Sequence, residues 1–530
     1  MEKKVRKNAI TAIEMLDYYV RISGDKQALK QGSQILSFGE WQQQADNLAK
    51  ALSASGITGG DRVAIMSYNR IEQFILLYAT MKLGAVYVPI NYRLAPQEIA
   101  YILQQSEAKI IFSESDELCA NIDAIAADTS LNHFVRLDIE TEDKPSNSRW
   151  QSLTTIGIDS PDTVVTFEPL ADTVVYQMYT SGTTGFPKGV MVTQQQLANF
   201  IVSSILIPPR IDAGKPHLIV APIFHAAALC NGIVALCMGR PVVILKEFEP
   251  LQLVETLVSE KISEVMLPPA LILAVLTSID NLKQYDFSHL EKIFYGASSI
   301  TVDVLRRAME GFQCNFQQGF GMTESVASTV ILTIDDHHKA LNGRPELLLS
   351  CGRAAAFAEV NIVDSETRKE LPRGEIGEIA VRSSFLMEGY SKQADKTAAV
   401  FENGWYYTGD GGYMDEEGYI FIKDRLKDMI ISGGENVYAT EVENVLMSHA
   451  DITDIAVIGL ADEKYGEAVV AVCVKKQASS PSDEELIEYC RDQLAGYKIP
   501  RRYEYLDELP RNASGKLLKR ELRERFAHSQ

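Results

Sequence analysis

Tyr179-Thr180-Ser181-Gly182-Thr183-Thr184-Gly185-Phe186-Pro187-Lys188-Gly189 is a run of small residues and hydroxyls that closes on one lysine. Gly182, Gly185 and Gly189 let the backbone turn sharply and bring its N–H groups close to an anion, while Thr180, Ser181, Thr183 and Thr184 add uncharged donors. That is the chemistry of a phosphate cradle. The apolar Val174-Val175 before it reads as the end of a buried strand, and the Gln-rich segment after Val192 as the start of a helix. Lys188 follows Gly185 by three and precedes a glycine rather than Ser or Thr, so the spacing is not that of a Walker loop. A flexible Ser/Thr/Gly linker is the competing reading, and it fits poorly between two strongly apolar segments.

Towards the N-terminus, helical and strand patterns alternate. Phe38 to Leu52 and Glu72 to Leu83 carry apolar residues at helical spacing, whereas Arg62 to Met66, Ala85 to Ile90 and Ile110 to Phe112 are short apolar runs fit for buried strands. This alternation predicts an α/β fold with a parallel sheet and helices on both faces. Glu140 to Asn147 turns polar and reads as a surface connection. Beyond the loop, Leu218 to His225, Val242 to Leu245 and Val265 to Leu267 read as further strands, the last ended by Pro268-Pro269. His225 is followed by Ala226, Ala227 and Ala228, which leave room for a ligand beside the imidazole; a satisfied core histidine fits the same pattern. Ile293 to Ser299 reads as a strand running into a small-residue turn where a flat ring could approach backbone.

A chain of 530 residues exceeds one compact core, so two or more domains are expected. Hydrophobic content of 46% with 23% charged is that of an ordinary globular protein, not a disordered one. A net charge of -20 argues against a nucleic-acid-coating surface. The seven cysteines are scattered with no CxxC pair, which suits reduced core residues and a cytoplasmic location. Met1 to Lys7 is basic, but Glu14 and Asp17 interrupt the apolar stretch a signal peptide needs. No apolar run reaches the length of a membrane span.

A second cluster, Gln317 to Ser325, sets Phe320 between Gly319 and Gly321 and then adds Thr323 and Glu324. A purine needs a stacking face and a magnesium-bound triphosphate needs an oxygen ligand, which Phe320 and Glu324 could supply; a tight turn with Thr323 as helix cap competes. Trp405 to Asp410 ends in a carboxylate able to accept two ribose hydroxyls, with a plain turn aspartate as the alternative. The charged cluster Asp424 to Asp428 separates the large region from a tail. In that tail Thr440/Glu443 and Ser482/Glu485 have capping-box spacing, and Ile455 to Ile458 and Val469 to Val472 read as strands of a small α+β domain. Near its end, Pro510 to Lys516 puts a lysine after a flexible turn, where a solvated side chain is the default reading.

In content and in order these segments resemble the adenylate-forming superfamily of acyl-CoA synthetases, luciferases and nonribosomal adenylation domains over nearly the full length. The matching stretches are YTSGTTGFPKG, PIFH, YGAS, GFGMTE, WYYTGD, DRLKDMIISGGENVYATEVE and PRNASGK. Gln194, Phe320 and Ala439 depart from the histidine, tyrosine and proline common there, and phenylalanine stacks as tyrosine does. The resemblance implies a large N-terminal domain (1–426) of packed sheets with helices and a small mobile C-terminal α+β domain (427–530). It also implies a two-step ligase: a carboxylate and ATP give acyl-adenylate and pyrophosphate, then a thiol takes the acyl group. ATP, Mg2+ and coenzyme A, as substrate, come with it.

By matched position, Thr180, Ser181, Gly182, Thr183, Thr184, Gly185 and Lys188 would hold the β- and γ-phosphates, Glu324 the magnesium ion, and Phe320 the adenine. Gly296, Ala297, Gly319, Gly321 and Thr323 would complete the nucleotide site, and Asp410 and Arg425 would fix the ribose. Lys516 would bridge the carboxylate and the α-phosphate, making Lys516, Thr180, Lys188 and Glu324 the implied catalytic set. Lys427 matches the hinge about which the tail rotates, so that Gly433-Gly434 replaces Lys516 beside the site. His225, Ala226, Ala227, Tyr295, Gly296 and Gly321 would border the acyl and thiol channel.

The stretch IKDRLKDMIISGGENVY looks most like bacterial fatty-acyl-CoA synthetases, with coumarate-type aryl-acid ligases close behind. The large region shows no extra insertion of the kind that marks ligases loading carrier proteins. The expected substrate is a medium- or long-chain fatty acid, with an aryl acid, or a carrier-protein thiol in place of coenzyme A, as alternatives. The expected partners are the carboxylic acid and coenzyme A, not nucleic acid; peripheral membrane contact and a homodimer are compatible with the sequence. Bulk placed at Gly296 or Ala227 is expected to weaken longer acids more than short ones.

Overall fold

The computed structural model describes residues 10–138, 149–153, 156, 168, 170–180, 187–298, 300–425, 428–433, 435–462, 464–476, 481–491, 493–511 and 517–527, without the side chains of 424 and 425. Among these residues the strands form four sheets. One eight-stranded sheet runs from edge to edge through Gly389–Tyr390, Lys188–Thr193, Val174–Thr180, Val86–Pro89, Arg62–Met66, Ala108–Ser113, His133–Arg136 and Trp150–Ser152. From Val174–Thr180 onward the strands are parallel, with helices Ile71–Leu83 and Pro96–Ser106 as crossovers, as the alternating apolar runs predict. Gly84 ends the first of those helices in the left-handed region (φ 70°), where its lack of a Cβ removes the steric cost.

The phosphate loop itself is set differently from a strand-to-helix turn. Lys188–Thr193 returns antiparallel to Val174–Thr180, pairing Thr180 with Lys188 and Tyr179 with Gly189, so the loop is the tip of a hairpin. Val190 and Val192 face the core on that return strand, and the helix Gln194–Ile205 begins only where the Thr193 hydroxyl and the Gln196 side chain form a capping box.

The nine-stranded sheet orders Arg353–Ala354, Ser328–Leu332, Asn315–Gly321, Lys292–Gly296, Glu264–Leu267, His217–Ile219, Val242–Ile244, Gln27–Gln31 and Gln34–Ser37. Here one expectation is corrected. The strand leading to His225 ends at Ile219, and His225 instead sits at the N-cap of helix Ala226–Leu236. Pro268-Pro269 ends the strand Glu264–Leu267 as expected, and Pro269 then opens helix Pro269–Ser278, where a missing N–H costs nothing.

A third, antiparallel sheet holds Trp405–Met414 and Ile420–Arg425, which places Asp410 within a strand and not at a turn. The fourth sheet is built from residues after Asp428: Glu435–Val437, Ile430–Ser432, Gly466–Lys475, Ile452–Asp462 and Arg502–Tyr505. The chain is thus a large N-terminal part of sheets and helices followed by a smaller α+β part. Ser482 and Glu485 do form a capping box before helix Asp483–Arg491. Thr440 and Glu443 do not: helix Ala439–Met447 starts earlier, and the Glu443 carboxylate accepts from the Val457 N–H (2.8 Å) and pairs with Lys519 (2.9 Å). No described helix is long and apolar enough to cross a membrane.

Candidate active site

The hairpin that carries the phosphate loop is joined to Glu324 by one short segment. Gly389–Tyr390 pairs antiparallel with Val190 and Met191, and the N–H groups of Glu388 and Ser391 donate to the carbonyls of Met191 and Gly189 at 2.9 and 2.8 Å. Just upstream, the Met387 N–H donates to the Glu324 carbonyl at 2.8 Å. Tyr390 then completes the link with its side chain: its hydroxyl donates to Glu324 Oε1 at 2.8 Å, and Lys188 Nζ lies 4.5 Å from its ring centroid. A cation over the ring and a carboxylate at the hydroxyl are thereby held in one line. Tyr390 was not among the sequence candidates; an aromatic directly after Gly389, in the stretch Met387-Glu388-Gly389-Tyr390, is the only local signal it offers.

Glu324 is 9% exposed in the turn Thr323–Ser325, so the Thr323 turn reading and the Glu324 ligand reading both describe the same short 3-10 segment. Its Oε2 has no hydrogen-bond partner among the described residues. No group of three or more metal-ligating side chains occurs among those residues. A single buried carboxylate with one free oxygen suits Mg2+, which commonly takes one or two protein carboxylates and fills its other positions with phosphate and water. The residues present fit that ion.

Three glycines make the wall beside Glu324 flat. A Cβ on Gly321 would lie 1.8 Å from the Ala327 carbonyl oxygen, and one on Gly296 2.2 Å from the Gly319 carbonyl oxygen. A Cβ on Gly319 would meet the Phe294 ring and the Ser328 hydroxyl at 2.4 Å. Backbone must pass backbone here, and only glycine allows it. This corrects one expectation: bulk at Gly296 would collide with the next strand and cause general loss of the fold, not a selective loss of long acids. Ala227, half-buried on helix Ala226–Leu236, remains a usable position. Phe320 is half-buried against the core, leaving part of its ring accessible, and Ala297 adopts φ 68° at the end of its strand.

Asp410, 5% exposed, stands opposite Arg425 in the strand pairing. His225 is half-buried; its Nε2 is shielded from water and has no hydrogen-bond partner among the described residues. Burial, with Arg93 as a lesser contributor, pushes its pKa down to about 4, so the ring is neutral at physiological pH. Tyr295 is turned away from the channel it was expected to border. It is fully buried, and its hydroxyl bonds His337 Nε2 at 2.8 Å on the strand face opposite Gly296. Gly433 has φ 64° and donates its N–H to the Tyr465 carbonyl. Ser181, Gly182, Thr183, Thr184, Gly185, Lys427, Gly434 and Lys516 lie outside the described residues, as does the side chain of Arg425.

Tyr390→Phe tests the link. It keeps the ring beneath Lys188 and removes only the hydrogen bond to Glu324. The expected result is a fall in kcat/KM of about tenfold with a raised Mg2+ requirement and little change in Tm. A magnesium titration that overlays the wild type would show that the bond does not position Glu324.

The profile described as AMP-binding enzyme matches residues 16–391, and that of the AMP-binding enzyme C-terminal domain matches residues 441–516. Fatty acid–[acyl-carrier-protein] ligase ScoC of Streptomyces coeruleorubidus is 33% identical over 93% of this chain and 92% of its own. Feruloyl-CoA synthase of an Amycolatopsis species is 34% identical over 96% of this chain and 97% of its own. Among solved structures, ATP-bound MatB from Rhodopseudomonas palustris superposes with a TM-score of 0.87 at 27% identity, covering 98% of this chain and 99% of that one. The acid and the thiol acceptor both differ between the two enzymes; the nucleotide-binding architecture is common ground.

Proposed function

The chain belongs to the family of AMP-binding enzymes, as an ATP-dependent acid–thiol ligase, and from that premise we propose that it joins a medium- or long-chain fatty acid to coenzyme A through an acyl-adenylate. The observation that carries this reading is the line Lys188–Tyr390–Glu324, which ties the tip of the phosphate hairpin to a buried carboxylate. When a carboxylate attacks the α-phosphorus of ATP two anions meet, and the site must offset their charge. Lys188 is held at the start of the return strand, and Glu324 Oε2, with no partner among the described residues, is available to a cation. Mg2+ bound there would supply charge neutralisation and hold the triphosphate in one orientation. The neutral His225 Nε2, without a partner among the described residues, offers a hydrogen-bond position at the expected entry of acyl group and thiol.

A fatty acid is favoured by the cavity beyond the glycine wall, along which Phe200, Val234, Ala235, Phe294 and Ile331 present apolar surface. Each methylene buried there contributes about 0.8 kcal/mol. The test is a panel of saturated and aryl acids assayed for pyrophosphate release, with coenzyme A or a phosphopantetheinylated carrier as acceptor. Preference should rise with chain length, and Ala227→Trp should lower kcat/KM for long acids about tenfold more than for short ones. A cinnamate-like acid preferred over every saturated chain would replace this reading with an aryl-acid ligase.

A further inference from the structure

The apolar surface does not continue to the floor of that cavity. Further along the strands from Gly296 the cavity is lined by Arg240, Glu264, Lys292 and Gln317, whereas Ser328, which pairs with Gly321, lines it at the glycine wall. Side-chain alternation explains their placement: Phe294 stands opposite Gln317 and Gly296 opposite Gly319, so beyond Gly296 the same strand face presents Phe294 and then Lys292. Glu264 stands opposite Lys292 on the neighbouring strand. From Gly296 to Lys292 the strand runs about 13 Å. The cavity borders the glycine wall, because the Phe294 ring and the Ser328 hydroxyl both lie where a Gly319 Cβ would be.

Charge at the floor is unbalanced. Glu264 receives Arg240 Nη1 on one oxygen and Lys292 Nζ, at 2.8 Å, on the other. Burial opposes its ionisation, yet Lys292 and Arg240 hold its carboxyl well below the usual range. Burial keeps the adjoining His217 neutral. Buried Arg240 and half-buried Lys292 therefore face one anion, with Arg210 also lining the cavity. Donors are in excess as well. Lys292 donates to Gln317 Oε1 at 3.2 Å, which orients the carboxamide; the Gln317 amide nitrogen, on a residue 2% exposed, has no partner among the described residues. A methyl terminus would bury these donors unpaired, at the full cost of their desolvation, whereas an anionic acceptor would satisfy them.

Resting on the fatty-acid reading above, we propose that this floor is a subsite for a second carboxylate, so that the acid is an α,ω-dicarboxylic fatty acid. One carboxyl is activated beside Glu324 while the other is held by Lys292 and Gln317, with Arg240 behind them. The experiment compares, at matched chain length, the monocarboxylic acid, the ω-hydroxy acid, the diacid and its monomethyl ester in pyrophosphate release. The diacid should exceed the monoacid in kcat/KM by about tenfold or more, the neutral ester should lose that advantage, and Lys292→Met and Gln317→Leu should each lower the diacid-to-monoacid ratio. Gln317→Leu keeps the Glu264 ion pairs intact, so it reports even where Lys292→Met fails to fold. A monoacid equal to or better than the diacid overturns the proposal while leaving the fatty-acid reading in place. An ω-hydroxy acid as good as the diacid also overturns it, because the floor would then read a hydrogen bond and not a charge. Turnover of aryl acids alone overturns the fatty-acid reading, and this inference with it.

Discussion

Lys516→Ala should slow acyl-adenylate formation by about a hundredfold or more while sparing thioester formation from supplied acyl-adenylate. The warrant is the timing of charge. A cation at the position the family assigns to Lys516 has most effect while negative charge builds between carboxylate and α-phosphate, and none of that charge is present once the adenylate is supplied. The flanking chain is anchored without the lysine: Arg511 and Leu517 pair as an isolated bridge, and Arg511 holds Asp454 at 2.8 Å. Loss of activity would therefore report chemistry and not unfolding. Lys427→Pro supplies the opposite contrast, since a fixed φ at the assigned hinge restricts rotation of the tail and should impair the thioester step alone. Equal loss in both half-reactions for Lys516→Ala would remove the assignment.

The parallel strands were legible because a strand buried on both faces has to be apolar throughout, as Arg62–Met66 and Ala108–Ser113 are. The hairpin around the phosphate loop was not. Gly189 breaks the apolar pattern of Lys188–Thr193, and the Gln-rich start of the next helix follows it directly. Local rules failed where distant groups compete for the same side chain. Thr440 and Glu443 have the spacing of a capping box, but Val457 and Lys519 capture the carboxylate, and neither is near it in sequence. The histidine at 225 was read onto a strand that ends earlier, before Pro222, a residue with no N–H to give a sheet. Tyr390 and the Arg240–Glu264–Lys292 cluster share a further reason for escaping notice: each acquires its meaning only when separate strands are brought side by side.

Glu324→Gln is the sharper test of the nucleotide end of the site. The substitution is nearly isosteric, its Oε1 can still accept from Tyr390, and the bond from Met387 goes to the residue's main-chain carbonyl, so the local fold is kept. What is lost is the negative charge on the oxygen that faces no partner. Adenylate formation should fall by about a hundredfold or more at ordinary Mg2+ and recover in part as Mg2+ is raised, since the missing charge lowers affinity for the ion without removing every oxygen ligand. Lys516→Ala should show no such recovery, because its missing charge belongs to the protein and not to the metal. Transfer from supplied acyl-adenylate to coenzyme A, which involves no triphosphate, should be far less affected. If the Mg2+ titration of Glu324→Gln overlays that of the wild type and both half-reactions fall together, then Glu324 serves to hold the turn between the strands Asn315–Gly321 and Ser328–Leu332, and the ion is bound elsewhere.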